Sequence, residues 1–295
     1  GTKMIKNTKT VLFYSFKGGV GRTQLLLNSA KYLASKGKEI LIVDFDIHAP
    51  GLSYWDEKFE LKNEKEDYLL NYIIKYFKGK STNKKIYTRK IDENLSLVPI
   101  YDMTNTKPYH ELLVEFSQFS YDLKLELRKK VSNNIKLSDT IFDSIKDKLL
   151  ETGDYDYIFF DSRTGFTEIS DILFSSEVDL KVLISAYNKQ NIKGTNSVLQ
   201  LIEDNESKHN ILRILSLKPE NGDGKIIEQL KSEANLDDNG KLKNSFDWKG
   251  IMEIDYASVI VTNDFEIWEE LKDDNLYKKQ VVDISNQIEK ILIGE

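Results

Sequence analysis

The sequence predicts a three-layer, doubly wound α/β domain with a mostly parallel sheet. Thr10–Phe16 is a β-branched and aromatic run that ends at a glycine-rich turn, and Glu39–Phe45 is a second apolar run. Each is therefore predicted to be a buried strand. Between them, Gln24–Lys36 carries apolar residues at helical spacing and is followed by Gly37, a typical stop signal. Strand, tight turn, helix and strand in this order form a βαβ unit, which implies a parallel sheet with helices on its faces.

More strands and helices are expected along the rest of the chain. The expected helices are Tyr68–Phe77, Pro108–Val131, Leu137–Thr152 and Gln280–Ile293. The expected strands are Asn94–Ile100, Tyr155–Asp161, Leu180–Ala186, Ile211–Leu217 and Ile251–Asp255. No internal repeat or Pro/Gly-rich linker marks a boundary. We therefore expect a single domain over residues 4–295, with a helical elaboration at about residues 55–152.

Composition limits the classes of function. The 295 residues are 40% hydrophobic, which is enough to bury a sizeable core. The formal net charge is −6 and the pI about 5.4, so no overall field attracts nucleic acid or anionic lipid, and nucleic acid binding is unsupported. Cysteine is absent, and no apolar run approaches the roughly 20 residues that cross a bilayer. The N-terminus also lacks the pattern of a signal peptide, so we expect a cytoplasmic protein without a membrane partner.

The turn after the first strand has the pattern of a phosphate-binding loop. It reads KGGVGRT over Lys17–Thr23, and it departs from the general pattern because Phe16 replaces the first glycine and Arg22 the lysine. A glycine turn that only joins strand to helix is the alternative. The position of the turn between a buried strand and a helix favours the phosphate loop, as do the two acidic strand ends described below.

Each residue type in this loop suits a triphosphate with Mg²⁺. Gly18, Gly19 and Gly21 allow the backbone to turn so that successive N–H groups face the phosphate oxygens. The following helix directs its positive N-terminus at the same anion. Thr23 supplies a hydroxyl for Mg²⁺, and Arg22 supplies a permanent positive charge where lysine usually contacts the β- and γ-phosphates.

Two predicted strands end in carboxylates. Asp44 and Asp46 end the second strand, and side chains two residues apart point the same way, toward the crevice at the carboxyl edge of a parallel sheet. Asp161 ends the strand Tyr155–Asp161, as expected for the second half of a phosphate-loop site that binds Mg²⁺ directly or through water. A solvated acidic turn is the alternative for Asp44 and Asp46. We expect Mg²⁺ to be held by Thr23, Asp44 and Asp161.

The loop resembles the deviant phosphate loop of the ParA/MinD class of ATPases, whose pattern is KGGxGK[ST]. Lys17 matches the signature lysine of the class, which reaches across a nucleotide-sandwich dimer to the partner's phosphates. Arg22, in place of the second lysine, makes the chain most similar to the KGGVGR-type subgroup found among bacterial regulatory and conflict-system proteins. The resemblance implies ATP rather than GTP, and an association with antiviral defence. Because arginine is bulkier than lysine, this change affects the expected hydrolysis rate more than binding.

The resemblance also assigns roles to the two acidic strand ends. In the first switch of the class, Asp44 would lie near the Mg²⁺ shell and Asp46 would position the hydrolytic water. The second switch of the class reads D-[SC]-P-A-G, which Asp161 and Gly165 match. Gly165 is thereby expected to donate its N–H to the γ-phosphate.

Two features stay open at this stage. Arg163 does not match the second switch, and it stabilises transition-state charge, contacts a partner, or pairs with a carboxylate such as Glu168. In the class, adenine contacts come from the ends of late strands, which points to Lys218 and Pro219 and to the segment around Asp255–Ala257.

The expected function is an ATP-dependent molecular switch. ATP and Mg²⁺ favour a homodimer, slow hydrolysis releases it, and an unidentified partner or effector responds. Lys17, Asp46 and Arg22 are the expected catalytic residues. The expected nucleotide contacts are Lys17, Gly18, Gly19, Val20, Gly21, Arg22, Thr23, Gln24, Gly165, Lys218 and Pro219. The alternatives are a nucleotide-binding scaffold with little or no hydrolysis and a cargo-positioning protein on DNA or membrane, which the acidic charge disfavours.

Overall fold

The computed structural model describes residues 6–48, 50–54, 64–104, 106–129, 134–165, 172–202, 208–218, 224–234, 246–255 and 267–295. Its strands are β1 (Lys9–Ser15), β2 (Ile40–Phe45), β3 (Glu66–Asp67), β4 (Lys85–Ile86), β5 (Arg89–Asp92), β6 (Leu95–Val98), β7 (Tyr157–Ser162), β8 (Leu180–Ala186), β9 (His209–Ser216) and β10 (Phe246–Ile254). Its helices are α1 (Arg22–Ser35), α2 (Leu69–Phe77), α3 (Thr106–Lys129), α4 (Asn134–Leu150), α5 (Lys189–Ile202), α6 (Gly224–Glu233) and α7 (Leu276–Ile293). A short 3₁₀ turn covers Leu52–Tyr54.

Eight strands form one sheet in the order β10-β9-β8-β1-β7-β2-β6-β5. Every neighbouring pair is parallel except β5 and β6, so the predicted doubly wound, mostly parallel sheet is confirmed. Because β7 lies between β1 and β2, the carboxyl ends of these three strands are side by side. The register places Asp161 of β7 opposite Phe13 of β1 and Asp44 of β2. This arrangement brings the glycine loop and both acidic strand ends to one edge.

Helices cover both faces of the sheet. On one face, Val11, Phe13, Ile42 and other alternate strand residues pack against α1 and α7. On the opposite face, the intervening strand residues pack against α2, α3, α4 and α5. The alternation of side chains along a strand therefore decides which helix each polar strand residue meets. Asp44 and Asp161 continue the series that faces α1.

The last helix is packed on the domain. Val281, Ile284, Ile288 and Leu292 of α7 are buried in the same core as α1. The helix begins at Leu276, four residues before the expected start, because the side chain of Asn275 accepts a hydrogen bond from the Lys278 N–H and caps the first turn. None of the helices in the described ranges is long and apolar enough to cross a membrane.

Several boundaries differ from the expectations. Strand β10 begins at Phe246 rather than Ile251, and a register shift after Trp248 interrupts its pairing with β9. The short strands β3, β4 and β5 had no clear sequence signal. The region at residues 55–152 supplies α2, α3 and α4, but it also supplies β5 and β6 at one edge of the main sheet. The extent of the domain stays a prediction.

Candidate nucleotide-binding site

The glycine loop joins the end of β1 to the start of α1. Gly19 and Gly21 have φ values of +74° and +86°, a backbone region that glycine adopts without steric cost. A Cβ atom built on either glycine would meet nothing within 4 Å, so backbone conformation rather than crowding requires glycine here. Val20 is buried in the core against α1, whereas Gly18 and Gly19 are exposed. Val20 therefore fixes the loop to the core, while the backbone at Gly18 and Gly19 stays accessible to a phosphate, as a phosphate-binding loop requires.

Phe16, which replaces a glycine of the general pattern, anchors the start of the loop to α5. Its ring lies so close to Gly194 that a Cβ on that glycine would be 2.1 Å from a ring atom. The exposed Lys17 lies next to it, with Nζ 5.6 Å from the centroid of the Phe16 ring. The expected contact of Lys17 with a partner's phosphates stays a prediction.

Asp161 connects the acidic strand end to the start of α1. Its side chain is 1% exposed and accepts from the Thr23 hydroxyl at 2.9 Å and from Arg22 Nε at 2.8 Å. Two of the three expected Mg²⁺ ligands are therefore together, and both are oxygen donors of the kind that Mg²⁺ prefers. Among the described residues, no group of three His, Cys, Asp or Glu side chains is arranged to hold a metal. Mg²⁺ commonly completes its coordination with phosphate and water oxygens.

Arg22 is buried and points toward the carboxylates. Besides the bond to Asp161, Nη1 donates to the Ser15 hydroxyl at 2.9 Å and Nη2 lies 3.4 Å from Asp46 Oδ2. Burial by itself lowers the pKa of Arg22, but the nearby charges of Asp161, Asp46 and Asp44 outweigh it, and the pKa is raised. The guanidinium is thus a fixed positive charge inside the site. Its expected contact with phosphates stays a prediction.

Asp44 is fully buried and holds the first switch segment in place. Its carboxylate accepts from the Asp46 N–H at 3.1 Å, from the Ser53 N–H at 2.7 Å and from the Ser53 hydroxyl at 2.6 Å. The Ser53 hydroxyl accepts in turn from the Ile100 N–H at 2.9 Å. Burial and the charges of Asp161 and Asp46 outweigh these hydrogen bonds and raise the pKa of Asp44 to about 8.

The second switch segment is bonded to the end of β1. The Gly165 N–H, which the resemblance assigns to the γ-phosphate, donates to the Phe16 carbonyl at 3.1 Å. The Tyr14 hydroxyl donates to the Gly165 carbonyl at 2.9 Å, and burial raises the pKa of Tyr14, so it remains a neutral donor. Arg163 is half-buried, and its role stays open because Glu168 lies outside the described residues.

The structure describes only some of the residues that are expected near the adenine base. Lys218 follows β9, two strands from β1 on the same edge of the sheet, and is exposed. Its Nζ lies 3.4 Å from a carboxylate oxygen of Glu253 on β10. Pro219 and Ala257 lie outside the described residues. Gln24 is half-buried on the first turn of α1, beside Thr23.

The structure adds site residues that the sequence analysis missed. Ser15 is the acceptor for Arg22, and alternation along β1 already placed it on the same face as Phe13, toward α1. Ser53 follows an irregular loop, so no periodic signal marked it. Gly194 inside a helical segment was a detectable sign of close packing, because glycine disfavours helix interiors.

A parallel sheet with this glycine loop between β1 and α1, and an acidic end on the adjacent strand, defines the P-loop nucleotide-binding class. Residues 8–214, more than half of the chain, match the AAA_31 family model, described as an AAA domain. The chain belongs to this family, and its matches are consistent with a P-loop protein of the ParA/MinD class.

Two curated relatives match part of the chain. An uncharacterized ATP-binding protein of Methanocaldococcus jannaschii, MJ0924, is 28% identical over 52% of this chain and 43% of its own length. The protein BBD21 of Borreliella burgdorferi is 33% identical over 41% of this chain and 46% of its own length. The chain thus spans less than half the length of these relatives.

Similar solved structures match nearly the whole chain. A proposed plasmid partition protein of Borrelia burgdorferi B31 bound to AMPPNP has a TM-score of 0.62 at 18% identity, over 97% of this chain and 99% of that one. The ATP complex of a Cyanothece McdA variant has a TM-score of 0.66 at 16% identity, over 96% and 97%. MinD of Pyrococcus horikoshii OT3 with Mg-ADP has a TM-score of 0.61 at 17% identity, over 96% and 97%. At these identities the likeness shows the fold.

The raised pKa of Asp44 predicts a pH-dependent stability difference. Folded Asp44 keeps its proton up to about pH 8, whereas the unfolded chain releases it near 3.8, so the free energy of unfolding falls as pH rises through this window. Asp44→Asn removes this titration. Relative to wild type, the variant should gain stability from about pH 5 to about pH 8, by up to about 1.4 kcal/mol per pH unit.

Urea unfolding of nucleotide-free protein in a metal chelator measures this difference. Asp102→Asn, which changes a carboxylate in the loop after β6, is the matched control and should follow the pH profile of the wild type. Parallel profiles for wild type and Asp44→Asn would mean that Asp44 is ionised throughout.

Proposed function

We propose that this chain is an ATP- and Mg²⁺-dependent molecular switch that hydrolyses ATP slowly through a nucleotide-sandwich homodimer and controls a partner or effector. The observation that carries the proposal is the position of Asp161, which accepts from both Thr23 and Arg22 at the start of α1. This is the junction at which a phosphate loop and its acidic strand end must meet. Nucleotides in the solved structures of similar fold support the same reading.

The loop is suited to bind the triphosphate. The backbone N–H groups from Gly18 to Thr23 and the N-terminal end of α1 supply positive partial charge to the phosphates. Thr23 and Asp161 supply oxygen atoms to Mg²⁺, which neutralises phosphate charge when bound. Arg22 adds a full positive charge from the same turn of the helix.

Asp46 is the residue best placed to orient the attacking water. It follows β2 at the edge where the loop lies, and its backbone N–H is fixed by Asp44. Hydrolysis at such a site depends on positioning and electrostatics, and little covalent chemistry is required of the protein. The Gly165 N–H contributes to the γ-phosphate only after it leaves the Phe16 carbonyl. Nucleotide binding would therefore be accompanied by movement of the second switch.

The exposed Lys17 is the basis for proposing a homodimer. Its side chain is exposed, whereas Arg22 is buried and paired with carboxylates, so Arg22 cannot take its place at a subunit interface. Burial between two subunits would be favourable for Lys17 only when a triphosphate is present to pair with it. The identity of the effector and a cytoplasmic location stay predictions. Binding of nucleic acid is not supported by the acidic net charge.

A nucleotide-binding scaffold with little or no hydrolysis is the second candidate. It is favoured by the contact between Arg22 and Asp46, since a guanidinium close to this carboxylate weakens its ability to accept hydrogen bonds from water. Phosphate release in single-turnover conditions separates the two candidates, because a scaffold retains ATP without producing phosphate.

Loss of Asp46 should separate binding from turnover. Asp46→Ala should retain ATP binding in calorimetry but lose hydrolysis by about 10²–10⁴-fold, the range typical of a positioned acid–base group. Asp92→Ala, which removes an exposed carboxylate on β5, should turn over like wild type. Wild-type turnover by Asp46→Ala would assign hydrolysis to another residue or to none.

Gly21→Val should bind no ATP, because a β-branched side chain is strained at φ +86° and would enter the phosphate cradle.

The two loop cations should have different effects on assembly. Lys17→Ala should retain nucleotide but stay monomeric, whereas Arg22→Ala should weaken nucleotide binding itself. Lys36→Ala is the matched control, because Lys36 is also exposed and its Nζ lies 5.6 Å from the centroid of the Tyr32 ring. Light scattering with Mg²⁺ and a slowly hydrolysed ATP analogue should show dimers for wild type and Lys36→Ala. Dimers of Lys17→Ala would refute the trans-acting lysine and favour the scaffold.

A further inference from the structure

The nucleotide site contains three carboxylates with very little exposure. Asp44 is 0%, Asp161 1% and Asp46 6% exposed. Arg22 lies among them, with its Nε on Asp161 and its Nη2 on Asp46. Buried carboxylates that lack a counter-charge are destabilising, so a cation at this position stabilises the fold.

The Arg22 guanidinium is held in a defined orientation. Ser15, at the last position of β1, accepts from Nη1, and Ser15 is 1% exposed. Three different nitrogen atoms of Arg22 thus have three different partners on β1, on β7 and after β2. A lysine ammonium presents its donors from one nitrogen and does not span such a set in the same way. The arginine of this loop is therefore suited to bridge the carboxylates as well as to bind phosphate.

We infer that Arg22, positioned by Ser15, is an internal counter-ion that excludes divalent cations from Asp161 and Asp46 until a nucleotide binds. In the nucleotide-free protein the guanidinium neutralises Asp161, an expected Mg²⁺ ligand, and the neighbouring carboxylate of Asp46. A triphosphate offers the guanidinium a competing anion, and Asp161 then becomes accessible to the Mg²⁺ that accompanies the nucleotide. This inference rests on the proposed function, and it adds that free Mg²⁺ and nucleotide do not bind independently.

The geometry around Arg22 makes this exchange feasible. Within the part of the chain that the structure describes, the hydrogen bonds of Arg22 use three of its five N–H donors. The remaining donors on Nη1 and Nη2 allow a phosphate oxygen to bind before the carboxylates are released. The exchange can therefore proceed in steps, without an interval in which Asp161 and Asp46 both lack a counter-ion.

Mn²⁺ binding in the absence of nucleotide tests the inference directly. Mn²⁺ is titrated into nucleotide-free protein at about pH 8, and free Mn²⁺ is followed by electron paramagnetic resonance. Arg22→Gln should bind Mn²⁺ at least about tenfold more tightly than wild type, because the two buried carboxylates of Asp161 and Asp46 then lack their cation. Its thermal unfolding temperature should rise on addition of Mn²⁺, while that of the wild type should not.

A second cation on α1 provides the matched control. Lys31 lies on α1, away from the loop. It is also buried, and it pairs with Glu269. Lys31→Gln should leave Mn²⁺ binding at the wild-type level. Equal Mn²⁺ affinity for wild type and Arg22→Gln, or tight Mn²⁺ binding by the wild type, would overturn the inference.

Ser15→Ala tests the same inference if Arg22→Gln does not fold. Loss of the acceptor for Nη1 should loosen the guanidinium and tighten Mn²⁺ binding by about threefold, and an unchanged affinity would overturn the inference. Neither titration contains nucleotide. A failure here is thus distinguishable from a failure of the proposed function, which would appear as absent ATP binding in calorimetry.

Discussion

The interaction on which the site depends is the pair of hydrogen bonds that Asp161 accepts from consecutive residues of one helix turn, Arg22 and Thr23. These bonds join β7 to the start of α1 and thereby fix the glycine loop that lies between β1 and α1. They are possible because β7 is inserted between β1 and β2 in the sheet, although it follows both in sequence. The order of the strands therefore determines which carboxylate lies beneath the phosphate loop.

The balance of charge explains the arrangement around this pair. Three buried carboxylates face one guanidinium, and the raised pKa of Asp44 relieves part of the excess negative charge. Asp44 also holds Ser53 and the Asp46 backbone by hydrogen bonds, so the first switch is connected through Ser53 to Ile100, just after β6. Its expected contribution to Mg²⁺ binding stays a prediction. A change of charge next to Asp161 would therefore alter the hydrogen bonds that link Asp44, Ser53 and Ile100.

Much of the fold follows from local sequence signals, and the site follows only in part. Apolar runs, helical spacing and the glycine turn were sufficient to predict the βαβ unit and the parallel sheet. The antiparallel edge strand β5 and the two-residue strands β3 and β4 are too short to show periodicity. The motif located the loop and the carboxylates, but the direction of Arg22 depends on the pairing of β7 with both β1 and β2, which no local pattern contains. The contact between Phe16 and Gly194 likewise joins residues far apart in sequence.

A crystal structure of the wild-type protein with Mg²⁺ and AMPPNP tests the central claim most directly, because it shows where the Arg22 guanidinium lies when phosphate is present. We expect the β- and γ-phosphates to lie within the loop Gly18–Thr23, Arg22 to contact them, and Thr23 and Asp161 to face the Mg²⁺. A nucleotide bound away from this loop would contradict the claim, as would phosphates in the loop with Arg22 still paired with both Asp161 and Asp46.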